Sequence, residues 1–165
     1  TEDVNKIMKQ FYWKYPMYKF ISFRDLRGYP KETFAEFLQE SAITVWIDNE
    51  TPFGYSAIEA IKTGNIVIGK VPEHMPEWMG DENGLFNNGV WTYDLNTIPD
   101  ILSRVLGSWM QDRIPETLCE NMDNVDNLYT FEGYQNNVNE IINGYINDRI
   151  NELKEIKTVI NNKNS

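Results

Sequence analysis

Two short β-branched runs, Ile43-Thr44-Val45-Trp46-Ile47 and Ile66-Val67-Ile68, flank a helix-patterned segment, and this alternation constrains the chain more than any other feature. Both runs are brief and mostly apolar, which suits strands buried on both faces of a parallel sheet rather than half-solvated hairpin strands. Between them, Tyr55 to Thr63 carries apolar residues at helical spacing, and Gly64 stands where a helix C-cap needs a residue with positive φ. Strand, helix and strand in succession predict a parallel sheet covered by helices.

The pattern extends both ways. Residues 3–15 read as a helix, with Val4, Ile7, Met8, Phe11 and Tyr12 on one face. Tyr15-Pro16 should end it, because the residue before proline is pushed out of the helical region. Tyr18 to Phe23 alternates like a strand, Arg24 to Pro30 reads as a loop, and a helix is expected from Lys31 to about Glu40. Downstream, 72–88 is loop-rich with a helical turn at Pro76–Met79, Val90 to Tyr93 is the last expected strand, and Ile98 to Met110 is a helix. The segment 114–130 is expected to hold a short helix and a loop. From Phe131 to about Asn161 an apolar stripe returns, including Val138, Ile142, Ile146, Ile150, Leu153 and Ile156. The expected fold class is therefore α/β: a Rossmann-like open parallel sheet with helices on both faces, spanning 1–130. A long C-terminal helix and frayed tail occupy 131–165.

Charge and composition exclude several functions. A formal net charge of -10 over 165 residues disfavours a phosphate-backbone partner, so no nucleic-acid partner is expected. A small anion is compatible with that charge, because one helix N-terminus can bind it locally. The single Cys119 excludes an intramolecular disulfide framework and a thiolate-rich metal site, which suits a reducing, cytoplasmic setting. No run reaches the roughly 18 apolar residues of a membrane span. The opening Thr1-Glu2-Asp3 lacks the layout of a signal peptide. His74 is the sole histidine, so a histidine-based metal site is excluded.

The chemistry concentrates between Asp48 and Leu85. In open parallel sheets, ligands bind where strands end and helices begin. Gly54 has no Cβ and lets the backbone approach a ligand. The amides of Gly54, Tyr55 and Ser56 then open a helix whose N-terminus can accept a diphosphate. Glu59 lies about one turn further on, where its carboxylate can accept two hydroxyls. Arg24, following the expected strand 18–23, is the candidate cation for a leaving diphosphate. Arg27 and Lys70 read rather as solvated surface groups. Core packing is expected for Trp46, Trp78, Trp91 and Trp109, with Trp78 the nearest of them to a ligand.

The order Phe53-Gly54-Tyr55-Ser56-Ala57-Ile58-Glu59-Ala60-Ile61, then Thr63-Gly64-Asn65-Ile66-Val67-Ile68, then Pro76-Glu77 and Asn83-Gly84-Leu85, resembles a known pattern. It is similar to the donor-binding C-terminal domain of GT-B glycosyltransferases, particularly the retaining family-4-like group that includes sucrose, glycogen and lipopolysaccharide sugar transferases. The resemblance covers roughly residues 18 to 110. It implies binding of a UDP-, GDP- or ADP-linked sugar as substrate, a ribose contact for Glu59, retention of anomeric configuration, and no metal or other cofactor. Phe53, Gly54, Tyr55, Ser56, Glu59 and Arg24 would bind the donor. One departure stands out. The group's first Glu falls two residues before the Phe, and that position here is Thr51, with Glu50 one residue earlier and Pro52 between Thr51 and Phe53. Glu50 swinging into the sugar pocket, Thr51 hydrogen bonding in its place, and loss of the contact all remain open.

The resemblance also implies an upstream strand-helix unit and an acceptor-binding N-terminal domain, without which the chain would be inactive alone. In GT-B proteins the last helix often crosses back to the other domain, and the Arg149 break in the stripe favours that reading. The near-heptad spacing of Ile146, Leu153 and Ile160 suits a homo-oligomer instead. Two rival readings accompany the first. Asp48-Asn49-Glu50 could act as a metal-diphosphate loop of the GT-A type. Alternatively the chain is a degenerate, non-catalytic module serving protein interaction or assembly. No Gly-x-Gly-x-x-Gly follows any expected strand, which leaves little for a dehydrogenase reading.

Overall fold

The computed structural model describes residues 2–47, 53–79, 88–115, 125 and 129–163, apart from the side chains of 77 and 158–163. Two compact units divide the chain, Thr1–Asp126 and Asn127–Ser165.

The first unit is built on three parallel strands, β1 (Ile43–Trp46), β2 (Ile66–Lys70) and β3 (Val90–Thr92), in the spatial order β1-β2-β3. Ile43 pairs with Ile66 and Trp46 with Gly69; Ile68 pairs with Val90 and Lys70 with Thr92. The central strand is buried from Ile66 through Gly69, as expected of a strand with a neighbour on each side and cover on both faces. The helices α1 (Glu2–Lys14), α2 (Lys31–Gln39), α3 (Tyr55–Lys62) and α4 (Ile98–Met110) belong to this unit.

The pleat sorts the core into two sides, because successive side chains of a strand point to opposite faces. Ile66 and Ile68 pack with Ile7 and Phe11 of α1 and with Ile98, Ile101, Leu102, Val105 and Leu106 of α4. Val45 and Val90 join them from the neighbouring strands. Their alternates Trp46, Gly69 and Trp91 meet on the other face. A Cβ on Gly69 would lie 2.5 Å from the Trp46 carbonyl oxygen and 2.7 Å from the Trp91 ring, so only glycine fits beneath that indole. α3 packs against β1 and β2, with Ala57, Ile58, Ala60 and Ile61 buried.

The turn from α3 into β2 follows from its sequence. Gly64 takes φ +82°, its amide donates to the Ile61 carbonyl, and the Asn65 amide donates to the Ala60 carbonyl. That is the Schellman arrangement, which satisfies two of the orphan carbonyls at a helix end. Asn65 is fully buried yet well satisfied: its Nδ2 donates to the Leu38 carbonyl and to Thr63 Oγ1, while its Oδ1 accepts from Thr44 Oγ1. This residue ties the end of α2, the start of β2 and strand β1 together.

Tyr18–Phe23, expected as a strand, forms none. Pro16–Tyr18 is a single 3-10 turn, and 21–26 has no regular structure. Tyr18 and Phe23 pack sideways onto α1 instead: Phe11 stacks on Tyr18 at 5.8 Å and meets Phe23 edge-on at 5.5 Å. Tyr12 Oη donates to the Ile21 carbonyl at 2.5 Å, which occupies an acceptor that a strand would give to a neighbour. Alternation of apolar residues reported burial of one side here without reporting a pairing partner. Helix α1 is clamped to α4 through Asp100, whose carboxylate lies 2.5 Å from Lys14 Nζ and accepts a hydrogen bond from Tyr15 Oη. These partners hold the Asp100 carboxyl below the usual carboxylate range.

The second unit contains one long helix, α5 (Phe131–Lys163). The Thr130 hydroxyl accepts from the Gly133 amide at its start, in the manner of an N-cap. No helix among the described residues is long and apolar enough to cross a membrane.

Candidate functional site

The C-terminal ends of the strands bring together Trp46, Lys70 and Thr92, and α3 begins beside them. Gly54 is the N-cap of α3 in the left-handed region, φ 69° and ψ 43°, and being glycine it offers no capping side chain of its own. That conformation turns the chain abruptly from the Phe53 loop into the helix, a path disfavoured for most residues with a Cβ. The Ala57 and Ile58 amides both donate to the Gly54 carbonyl, at 3.0 and 3.2 Å, so the first turn is wound tightly. Tyr55 is exposed, and its ring lies 4.6 Å from that of half-buried Phe53.

Three indoles support this loop from below. Trp46, Trp78 and Trp91 contact one another with centroid separations of 6.2, 5.8 and 5.7 Å. Trp78 Nε1 donates to the Phe53 carbonyl at 2.6 Å, which pins the residue before the turn. Asn88, itself buried, donates from Nδ2 to the Trp78 carbonyl. The reason for glycine at 54 is thereby visible. A Cβ there would meet Trp46 at 3.0 Å and Trp78 at 3.1 Å. Positive φ and close packing on two indoles both favour it, causes different from the ligand approach inferred for this residue from sequence.

Three buried polar atoms in this cluster have no hydrogen-bond partner among the described residues: Trp46 Nε1, Trp91 Nε1 and Asn88 Oδ1. Buried polar groups are rarely left so, and an orphan group in a native fold needs an explanation. All three belong to the cluster that carries Gly54.

The candidate residues are distributed as follows. Phe53, Gly54, Tyr55, Ser56 and Glu59 are brought together on the Phe53 turn and the first turns of α3. Ser56 and Glu59 are half-buried, three residues apart on one side of the helix. Glu50 and Thr51 lie outside the described residues, as do Asp48 and Asn49 of the rival metal loop. Among the described residues no group of three His, Cys, Asp or Glu side chains is placed to hold a metal ion.

Arg24 is not brought to this site. Its Nη1 lies 3.1 Å from Glu40 Oε2, and its guanidinium stacks on the Phe37 ring at 4.0 Å. Those partners sit at the end of α2 that leads into the start of β1, the opposite end of the strand from Trp46. The expected strand that would have delivered Arg24 to the ligand edge is absent. Arg27 is engaged with Asp25, whose carboxyl it lowers to about 2. Among the described residues Lys70, the half-buried last residue of the central strand, is a basic residue at that end of the sheet, on the Ile66 and Ile68 face rather than the Gly54 face. The extended run Ile66-Val67-Ile68-Gly69-Lys70 carried that signal, since a strand continued by two residues puts its final side chain at the ligand edge. Nothing in the sequence marked Asn88. Of the four tryptophans expected in the core, Trp46, Trp78 and Trp91 are there and Trp109 is half exposed near the end of α4. Exposed His74 makes no described contact with the Gly54 turn.

A cleft of about 190 Å³ opens elsewhere, between β3 and α4, lined by Val90, Ile101, Arg104 and Ile114 among others. It lies on the Ile68 face of the sheet and shares no residue with the Gly54 turn. Comparison with protein-family models, curated proteins and solved structures finds no match to this chain.

Proposed function

We propose that this chain is the nucleotide-sugar donor-binding half of a GT-B-type retaining glycosyltransferase, with the Gly54 turn receiving the diphosphate. One observation carries the reading: a left-handed glycine, next to the Phe53 carbonyl that Trp78 holds, starts a helix at the C-terminal mouth of a parallel sheet. A helix N-terminus in that position presents partial positive charge and free amides to an anion. Glu59 supplies the ribose contact from the next turn of α3. Catalysis in the complete enzyme consists of stabilising the nucleoside diphosphate as it leaves, by fixed amides and a cation rather than by a metal. Glu50 or Thr51 takes the sugar-facing role in this reading.

The test is a titration of the isotopically labelled chain with UDP, GDP and ADP, followed by NMR. Amide shifts concentrated in Gly54–Glu59 are expected. Saturating nucleotide that leaves those resonances unmoved refutes the reading. A second reading, a module that keeps the fold for assembly, draws on the exposed apolar residues of α5. It forecasts no thermal stabilisation by any of the three nucleotides, whereas ligand binding at a hundredfold excess over Kd would stabilise the fold by about 2.7 kcal/mol.

A further inference from the structure

Helix α5 presents a second feature that the nucleotide site does not use. Ile142, Ile146, Ile150, Leu153 and Ile156 recur at three- and four-residue intervals along it, which places them on one side of the helix. Their exposures are 51, 47, 42, 53 and 52 %, so the stripe is uncovered. A helix this rich in Asn and Ile gains little from propensity, and Gly144 weakens it further; packing of an amphipathic face is the usual source of stability. Arg149 falls within the stripe, with its Nη1 2.5 Å from Glu152 Oε2.

We propose that the stripe is a homodimer interface in which two α5 helices pack antiparallel, with the two-fold axis passing beside residue 151. In heptad terms Ile146 and Leu153 are a positions, Ile142, Arg149 and Ile156 are d positions, and Ile150 flanks them at e. A parallel pair stacks d on d and sets Arg149 against Arg149 of the second copy, two like charges in the seam. An antiparallel pair stacks a on d. Ile146 then meets Ile156 of the second copy, Arg149 meets Leu153, and the two Ile150 side chains face each other across the axis. Glu152 of the second copy falls beside Arg149, so the two Arg149–Glu152 pairs close into a ring of alternating charge. The wider charge distribution agrees. Residues 131–147 carry Glu132 and Glu140, net -2, while 148–163 carry three acidic and four basic residues, net +1. With the axis at 151, antiparallel packing lays 139–147 of one helix, with Glu140 and net -1, along 155–163 of the other, with Glu155, Lys157 and Lys163 and net +1. The occupant is thus a second copy of this chain, because its own charge pattern complements it in one orientation and repels it in the other.

The experiment uses the full chain with Cys119→Ser, so that introduced cysteines are the only thiols. Sedimentation equilibrium across the micromolar range should give twice the 19.4 kDa chain mass. Leu153→Glu should return the protein to monomer with its first unit still folded by tryptophan fluorescence. Arg149→Glu should weaken the dimer tenfold or more, and adding Glu152→Arg should restore it. For orientation, Ile146→Cys chains mixed with Ile156→Cys chains should form a mixed disulfide, while each variant alone should not. A monomer at every concentration overturns the proposal, and so do disulfides formed by either single-cysteine variant with itself.

Discussion

Gly54→Ala separates two demands that meet at one residue. The first is conformational: φ of +69° costs a residue with a Cβ about 1 kcal/mol. Gly64 shares that demand at φ +82° but has nothing within 4 Å of a Cβ, so Gly64→Ala should cost about 1 kcal/mol and no more. The second demand is steric and belongs to Gly54 alone. Its Cβ would approach Trp46 at 3.0 and 3.2 Å and Trp78 at 3.1 Å. Neither indole has room to retreat, since both press on Trp91 and Trp78 is tethered to the Phe53 carbonyl. Overpacking of this kind adds about 1–3 kcal/mol. Gly54→Ala should therefore lower the melting temperature by roughly 10 °C and Gly64→Ala by roughly 4 °C, for a unit of this size. Thermal unfolding followed by tryptophan fluorescence and by circular dichroism reads both. Asparagine sharpens the comparison because it tolerates the left-handed region. Gly64→Asn should be close to neutral while Gly54→Asn stays destabilised. Equal losses at the two positions, or a neutral Gly54→Asn, would show that the indoles yield and that the steric argument is wrong.

Trp78→Phe keeps a ring in the cluster but removes the hydrogen bond to the Phe53 carbonyl, so stability should fall by about 1 kcal/mol or more and nucleotide-induced shifts at Gly54–Glu59 should weaken; unchanged shifts would mean that the tether does not position the turn. Gly144→Ala, mid-helix with open space around it, should raise helix content and stabilise α5 by about 1 kcal/mol, read by circular dichroism on heating. Asp100→Asn should destabilise the α1–α4 clamp by no more than about 3 °C at neutral pH, since its partner is exposed. Because the folded Asp100 carboxyl is held below its unfolded value, that difference should persist above about pH 4 and disappear as acid protonates the folded group. A gap between wild type and variant that grows on acidification would contradict the assignment.

The sequence by itself determined the elements whose signals are local. Helix Ile98–Met110 matches its periodicity to the residue, because the apolar face is continuous and Thr97 and Pro99 mark its start. Strands β1 and β2 were legible as short, mostly apolar β-branched runs, and the α3–β2 turn as Thr63-Gly64-Asn65, where a glycine was needed for positive φ. The helical start at Tyr55 and the grouping of Phe53 to Glu59 were equally readable, since they depend on neighbours in the chain. Tertiary structure alone decided what depends on partners distant in sequence. Tyr18–Phe23 has the alternation of a strand, but its aromatics found a better surface on Phe11 than its backbone found on a sheet edge. Arg24 consequently pairs with Glu40 and Phe37, and Lys70 holds the end of the central strand. The need for glycine at 54 was visible as a motif, while its cause, two indoles brought from positions 46 and 78, exists only once three strands are packed side by side. Periodicity encodes which face of a segment leaves water; it carries no record of what that face will touch.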